Sequence, residues 1–391
     1  MGLYIGSLNK DKLPVTITNE MLSRHKIYGI KFDGSSSSGV PTYDNIGMEW
    51  SPATDSSPGT DNYKDVAPFN VKKFVAKYNS GWSARVYEGD ANYTTLHADS
   101  SYDCFVEFPV GYYYRPSRYE WLVSPDPIDG FLPSPGHDMG NGEVLTSFAH
   151  TEYDLSSGFR SRPDVVPLSE QTIAQFMAGC VNRGMYLRSI GAHNWINMLR
   201  LIKQKDLNSQ KVNGYGCNEG NAKMTMTDNI KGLDGYRTSV DANACVRTLG
   251  IQNFYGNVWD FIHNCLVDTQ TVYIKQDPRF SSHPSSAADA INQGWKASSA
   301  KVPYNVTSGS YMNSIAFDSN IPYLTHPVSA GGNEYNPIGD YFSTDTNRPF
   351  SVVRLGGNAW DGLRDGSFAW ASDSPLSVSG GRSGAAACIY G

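Results

Sequence analysis

Helical periodicity occupies one short stretch of this chain, Ser169 to Lys205, and that confinement limits the fold more than any other feature. In its first half Ile173, Phe176, Met177, Cys180 and Val181 share one face at helical spacing, with Ser169 placed as N-cap and Gly184 as the stop. A short strand, Met185–Arg188, leads to a second helix predicted from about Ala192 to Lys205. Its stripe is Trp195, Met198, Leu199 and Ile202, and Lys203 and Lys205 suit the negative end of the helix dipole. Both stripes predict packing against a core rather than contact with a cofactor. The remainder of the chain must be strand and loop, so the expected fold class is α+β.

Strand signals concentrate before the helices. Lys26–Phe32, Val71–Tyr78, Ala84–Tyr87 and Cys104–Tyr114 are β-branched or aromatic runs separated by turn chemistry. Asp33–Gly39 and Ser51–Asn62 are polar, Gly/Pro/Ser-rich connectors. The prolines of SRPDVVP (Ser161–Pro167) suggest a boundary. The expected organisation is an arm over residues 1–25, a β-rich domain over 26–165 and a second domain over 166–391. Asp268 to Pro349 is rich in Ser, Asn, Gly and Pro, with scattered strand signals at Thr271–Lys275 and Ile315–Phe317, and reads as long functional or decorative loops.

Several function classes fall away on charge and spacing. A net charge of −6 with no Lys/Arg run argues against nucleic acid as a partner. No stretch approaches 18 apolar residues, which argues against membrane insertion, and the opening residues lack a secretory h-region. The six cysteines (Cys104, Cys180, Cys217, Cys245, Cys265, Cys388) form no CxxC and read as free, buried thiols. The histidines never fall at HxH, HExxH or HxxxH spacing, so no metal and no cofactor is expected, and His193 and His263 read as structural. The loop His137–Glu143 gathers oxygen donors outside the EF-hand register and reads as a turn. GYGCNEG (Gly214–Gly220) misses the GxGxxG spacing; its glycines read as turn residues, with Cys217 a candidate reactive thiol. No GxSxG elbow and no distinctive carboxylate pair occurs.

Three separated segments carry a family signature. Thr172–Arg200 reads TIAQFMAGCVNRGMYLRSIGAHNWINMLR, Gly250–His263 reads GIQNFYGNVWDFIH, and Val353–Ser383 holds RLGG near its start and GGR near its end. Together they resemble the C-type-lectin fold of formylglycine-generating enzymes, which implies a lectin-like domain over 166–391. In the resemblance Gly256, Asn257, Trp259, Arg354, Gly356, Gly357, Gly381 and Arg382 are scaffold. Trp259 would plug a core seam, the glycine pairs would allow positive φ or close approach, and the two arginines would pin strand ends.

The catalytic branch of that fold uses a cysteine pair in its final segment. Here no cysteine lies between Arg354 and Arg382, and Cys388 falls beyond the frame. The chain is more similar to the variable proteins of diversity-generating retroelements, which include phage tropism determinants. Ile27–Pro52 (IYGIKFDGSSSSGVPTYDNIGMEWSP) also resembles tail-associated phage proteins. The resemblance implies a non-catalytic tail receptor-binding protein, homotrimeric, assembled in the host cytoplasm into the virion. Its partners would be phage tail proteins and a bacterial surface receptor, protein or glycan. An oxidative enzyme of the formylglycine-generating type and a bacterial adhesin with the same variable domain are the alternatives.

Adenine-directed rewriting of AAC or AAT codons cannot produce Lys, Glu, Gln, Met or Trp, and Asn358–Ser379 contains no Lys, Glu, Gln or Met. Within a variable region near 352–383 the resemblance therefore implies a ligand-facing set of Asn358, Asp361, Leu363, Arg364, Asp365, Ser367, Ala369, Ala371, Ser372, Asp373, Ser377 and Ser379. Trp360 and Trp370 join it as exposed anchors, while Phe368 is expected to point inward.

Overall fold

The computed structural model describes residues 15–214, 216, 230–237, 245–348 and 350–391. Strands dominate them, and helices are few and mostly short. The two longer helices, Ile173–Val181 and Ile190–Gln204, lie in the stretch whose periodicity predicts them. The first starts beyond Ser169, because Thr172 is the cap. Its hydroxyl accepts from the Gln175 N–H, and the Gln175 side chain accepts from the N–H of Thr172, a reciprocal capping box. Gly184 follows at φ +64°, the left-handed turn that only glycine adopts cheaply.

The helix Ile190–Gln204 is the centre of the molecule. All of its residues are buried, not only the apolar stripe. It packs on Tyr28–Lys31, on Glu120–Ser124 and on Trp259–Asp268, so strands cover it from more than one side. Its polar side chains tolerate burial because they are partnered. Lys203 meets Asp61 at 2.7 Å and also Asp234. Arg200 donates to Asn197 at 2.7 Å and to the Asp206 carbonyl at 3.0 Å. Lys203 is thus held by ion pairs rather than left in solvent at the helix end.

Three sheets hold most of the strands among the described residues. A five-stranded sheet runs in the order Leu132–Pro133, Tyr112–Ser117, Glu120–Ser124, Tyr28–Lys31, Val40–Tyr43. A six-stranded sheet runs Tyr186–Leu187, Ala387–Tyr390, Ser147–Thr151, Asp103–Pro109, Lys72–Ala76, Val86–Tyr87. The run Cys104–Tyr114, expected as one strand, is therefore two strands in two sheets. The break falls at Val110–Gly111, where a Cβ on Gly111 would strike the Trp195 ring.

The largest sheet has nine strands. Its path runs Lys296–Lys301, Thr271–Ile274, Trp259–Asp268, Ser351–Leu355, Trp370–Pro375, Tyr341–Thr344, Ser310–Ile315, Pro327–Ala330, and Ser383–Gly384 pairs in parallel with Trp259–Asp260. Five of these strands lie in the Asp268–Pro349 stretch expected to be mostly loop. Sequences such as KASSAK and YFST carry little strand propensity, and pairing with neighbours supplies what propensity does not.

The expected boundary at 165/166 does not divide the packing. Ala387–Tyr390 lies between Ser147–Thr151 and Tyr186–Leu187, with Ala149 opposite Ile389. One apolar cluster runs from Tyr28 and Trp121 through Trp195 to Phe342, Trp370 and Tyr390. Prolines there bend the chain without isolating two cores.

The remaining sequence expectations fall into place locally. His193 and His263 are buried, and the Nε2–H of each donates to a carbonyl, Ser367 at 2.8 Å and Pro278 at 2.6 Å. The loop His137–Glu143 is a turn, with Asp138 accepting from the Gly140 N–H at 2.8 Å and Glu143 paired with Arg279 at 2.7 Å. Cys104, Cys180, Cys245, Cys265 and Cys388 are buried thiols outside any disulfide, while Cys217 lies outside the described residues.

Candidate functional site

A polar cleft of about 300 Å³ opens beside the centre of the nine-stranded sheet. Four elements build it. The strand Ser351–Leu355 supplies Arg354, and Trp370–Pro375 supplies Ala371 and Asp373. Tyr341–Thr344 supplies Tyr341 and Ser343, and the start of Trp259–Asp268 supplies Trp259. Loop residues Asn358, Asp361, Arg364 and Arg382 close the rim, with Thr307 and Ser308 opposite.

The loop leaves its strand through Gly356 and Gly357, at φ +94° and +83°. A Cβ on Gly357 would overlap the Asp365 carboxylate, so glycine is required by space as well as by φ. Asn358 then fixes the turn. Its side-chain oxygen accepts from the Trp360 N–H at 2.8 Å, and its amide donates to Asp361 at 2.5 Å. Gly362–Arg364 forms a single 3₁₀ turn, and Trp360, Leu363 and Arg364 stand exposed on it.

Arginines on aromatic rings dominate the lining. Arg354 lies 5.8 Å from the Trp259 ring, Arg364 4.8 Å from Tyr341, and Arg382 4.6 Å from Trp360. Arg354 is also tied to Asp373 at 2.8 Å, to Ser374 at 2.9 Å and to Ser383 at 3.0 Å. Burial works against the charge of Asp373, but Arg354 and the hydroxyls of Ser343 and Ser374 outweigh it and hold the carboxyl below its ordinary range. Asp361 moves the other way. Burial raises it, more than Asn358, Arg364 and Arg382 can lower it.

The structure gathers part of the expected ligand-facing set and withdraws part. Asn358, Asp361, Arg364, Ala371 and Asp373 line the cleft, with Trp360 and Leu363 exposed on its rim loop. Ser377 and Ser379 are exposed but do not line it. Asp365, Ser367, Ala369, Trp370 and Ser372 are buried and do not face a ligand. Alternation along a strand gives an outward face only where that face is uncovered. Trp370–Pro375 pairs with a strand on each side, and Trp370 sits in the main core with its N–H on Ser372 at 3.1 Å. Phe368 is buried, as expected. Asp365 and Asp340 lie behind the loop, and burial pushes both carboxyls up, Asp340 to about 8.

The scaffold assignments divide as well. Gly256 and Asn257 take positive φ at +78° and +65°, and the Asn257 amide donates to Asp154 at 2.9 Å. Trp259 is only half-buried and lines the cleft instead of plugging a seam. Gly381 and Gly380 have neither positive φ nor a crowding neighbour, so no steric need for glycine exists there. The Arg382 carbonyl accepts from the Trp259 N–H at the start of its strand at 2.8 Å, but its guanidinium pins no strand end and is exposed over Trp360.

One grouping escaped sequence reasoning. His97, Cys104 and Glu152 bring potential ligand atoms within 4.8 Å of one another, although no short spacing joins them. Lys73 already forms an ion pair with the buried Glu152 there, and burial pushes the Cys104 thiol well up, so the grouping reads as a charge-balanced interior pair beside a thiol. Compared with known proteins, the chain matches no family model and no curated protein.

Proposed function

We propose that this chain is a non-catalytic phage tail receptor-binding protein with a C-type-lectin-like receptor domain, and that the cleft is where it meets a bacterial surface molecule. The observation carrying this reading is the coincidence of frame and cleft. Residues bracketed by the RLGG and GGR motifs, from Arg354 through Asn358, Asp361, Arg364 and Asp373 to Arg382, converge on one concavity. Trp259 of the GNVW motif completes it from a strand almost a hundred positions earlier. Rigid strands hold the walls while an exposed loop supplies the rim, the usual division between scaffold and binding residues. In this reading the β-rich segment 26–165 joins the tail, the assembly is a homotrimer, and the virion is the site of action.

Adsorption measures the role directly. Virions lacking this chain should fail to adsorb to host cells, and purified protein added in excess should block wild-type virions. Normal adsorption by virions lacking the chain would remove the proposal.

A further inference from the structure

We infer that the cleft takes an anionic sugar residue, a polyhydroxylated ring bearing a carboxylate or a phosphate, clamped between Arg364 and Arg382. The inference rests on the binding role proposed above and names the ligand chemistry of that site.

Charge balance is the first argument. Arg354 is neutralised by Asp373 at 2.8 Å. Among the described residues, no carboxylate lies within 4.0 Å of the guanidinium of Arg364 or of Arg382. Asp361 and Asp373 offset two of the three arginines that line the cleft, so the lining keeps an excess of one positive charge. Asp361 interacts with both Arg364 and Arg382, and burial raises its carboxyl above the ordinary range. A concave site with excess charge of one sign concentrates ligands of the opposite sign.

Geometry is the second. Each guanidinium lies within 5 Å of an aromatic ring centre, 4.8 Å for Arg364 on Tyr341 and 4.6 Å for Arg382 on Trp360. Stacking restrains a planar cation while leaving its N–H groups able to make paired bonds to an oxyanion. The restraint lowers the entropy lost when an anion binds.

Size and lining supply the third. A volume of about 300 Å³ sits at the lower end of small-molecule sites, roughly 300–1,000 Å³, and suits a single ring rather than a peptide segment. The wall carries the hydroxyls of Thr307, Ser308 and Ser343, polar groups able to pair with the hydroxyls of a sugar ring. Hydroxyl-bearing walls with a cationic rim fit a charged sugar better than an apolar anchor.

Binding of full-length protein to immobilised polygalacturonate, a phosphomannan and neutral dextran tests the inference. One or both charged polymers should bind and dextran should not, with the affinity falling at least fivefold between 50 and 300 mM salt as surface charges are screened. Arg364→Gln and Arg382→Gln should each weaken binding about tenfold and the double variant should abolish it, with melting temperature unchanged. Lys296→Gln, on the far edge strand of the sheet, should have no effect. Equal binding to dextran, or charged-polymer binding that survives the double variant, overturns the inference. Inorganic phosphate competing as well as sugar phosphates do would overturn the sugar component. Host-cell binding separates the two levels. Cell binding that charged polymers fail to compete overturns the ligand class and leaves the receptor role standing. Charged-polymer binding without any binding to host cells upholds the ligand class and removes the receptor role.

Discussion

The Arg354 guanidinium and the Asp373 carboxylate meet at 2.8 Å across two adjacent antiparallel strands, and both side chains face the cleft. Asp373 also accepts from Ser343 on the next strand at 2.8 Å, so one carboxylate links three strands at the floor of the site. Asp373→Asn should lower stability by about 1.5–3 kcal/mol, the range for hydrogen bonds to a charged group. Urea unfolding measures it, and an unchanged midpoint would show the link to be ornamental.

The two tryptophans of the final segment should behave oppositely. Trp370 is fully buried and Trp360 is 55% exposed. Trp370→Ala should cost about 3–5 kcal/mol, as large aromatic truncations in cores do. Trp360→Ala should change stability by less than about 0.5 kcal/mol while weakening ligand capture, because Arg382 loses the ring it lies on. Thermal melts and a binding assay on the same two variants separate the roles.

Glycine need not be equivalent along the frame. Gly357→Ala places a Cβ against Asp365 at φ +83° and should cost about 2 kcal/mol or more. Gly380→Ala meets nothing within 4 Å and should be neutral within about 0.5 kcal/mol. Equal effects in chemical denaturation would contradict the loop geometry.

Asp340 gives a pH signature. Burial raises its carboxyl to about 8, against the hydrogen bond from Phe368 and the charge of Arg200. A raised folded value means that the group contributes most below the unfolded value near 3.8, and that this contribution is lost as pH rises through about 8. The slope from this one group is up to about 1.4 kcal/mol per pH unit within that window. Asp340→Asn removes the proton exchange, so its stability should fall less steeply than wild type between pH 5 and pH 8. Parallel profiles from denaturant midpoints would place the ionisation elsewhere.

How far the sequence foretold this arrangement depends on the range of the forces involved. The helices were legible because their signals are local. Even the misplaced first cap had a readable sign, since Thr172 and Gln175 stand at capping-box spacing. Full burial of Ile190–Gln204 was not legible, because the partners that admit its polar side chains, such as Asp61, Asp234 and Ser367, are remote in sequence. The strands of the Asp268–Pro349 stretch were hidden for a related reason. Their Ser-rich sequences are strands because neighbours pair with them. In the cleft, the frame motifs bracket the lining, but the codon argument and the anchor reading put Ser372 and Trp370 in the ligand-facing set, although in a period-two strand both share the inward side of Phe368. Nothing near them in sequence announces that Tyr341–Thr344 lies alongside and that the sheet is covered there.

The pairing of Ala149 with Ile389 has a practical corollary for anyone wishing to re-target the molecule. Exchange of residues 166–391 as a block would tear a sheet open and expose one wall of the shared interior, so chimaeras joined at 165/166 should misfold. The permissive graft is much smaller. It is confined to Trp360, Leu363 and Arg364, which project outward, while Asn358, Asp365 and Ser367 between the Gly356–Gly357 exit and Phe368 are buried and hold the loop in place. In this architecture surface chemistry is replaceable at the loop, not by the half-chain.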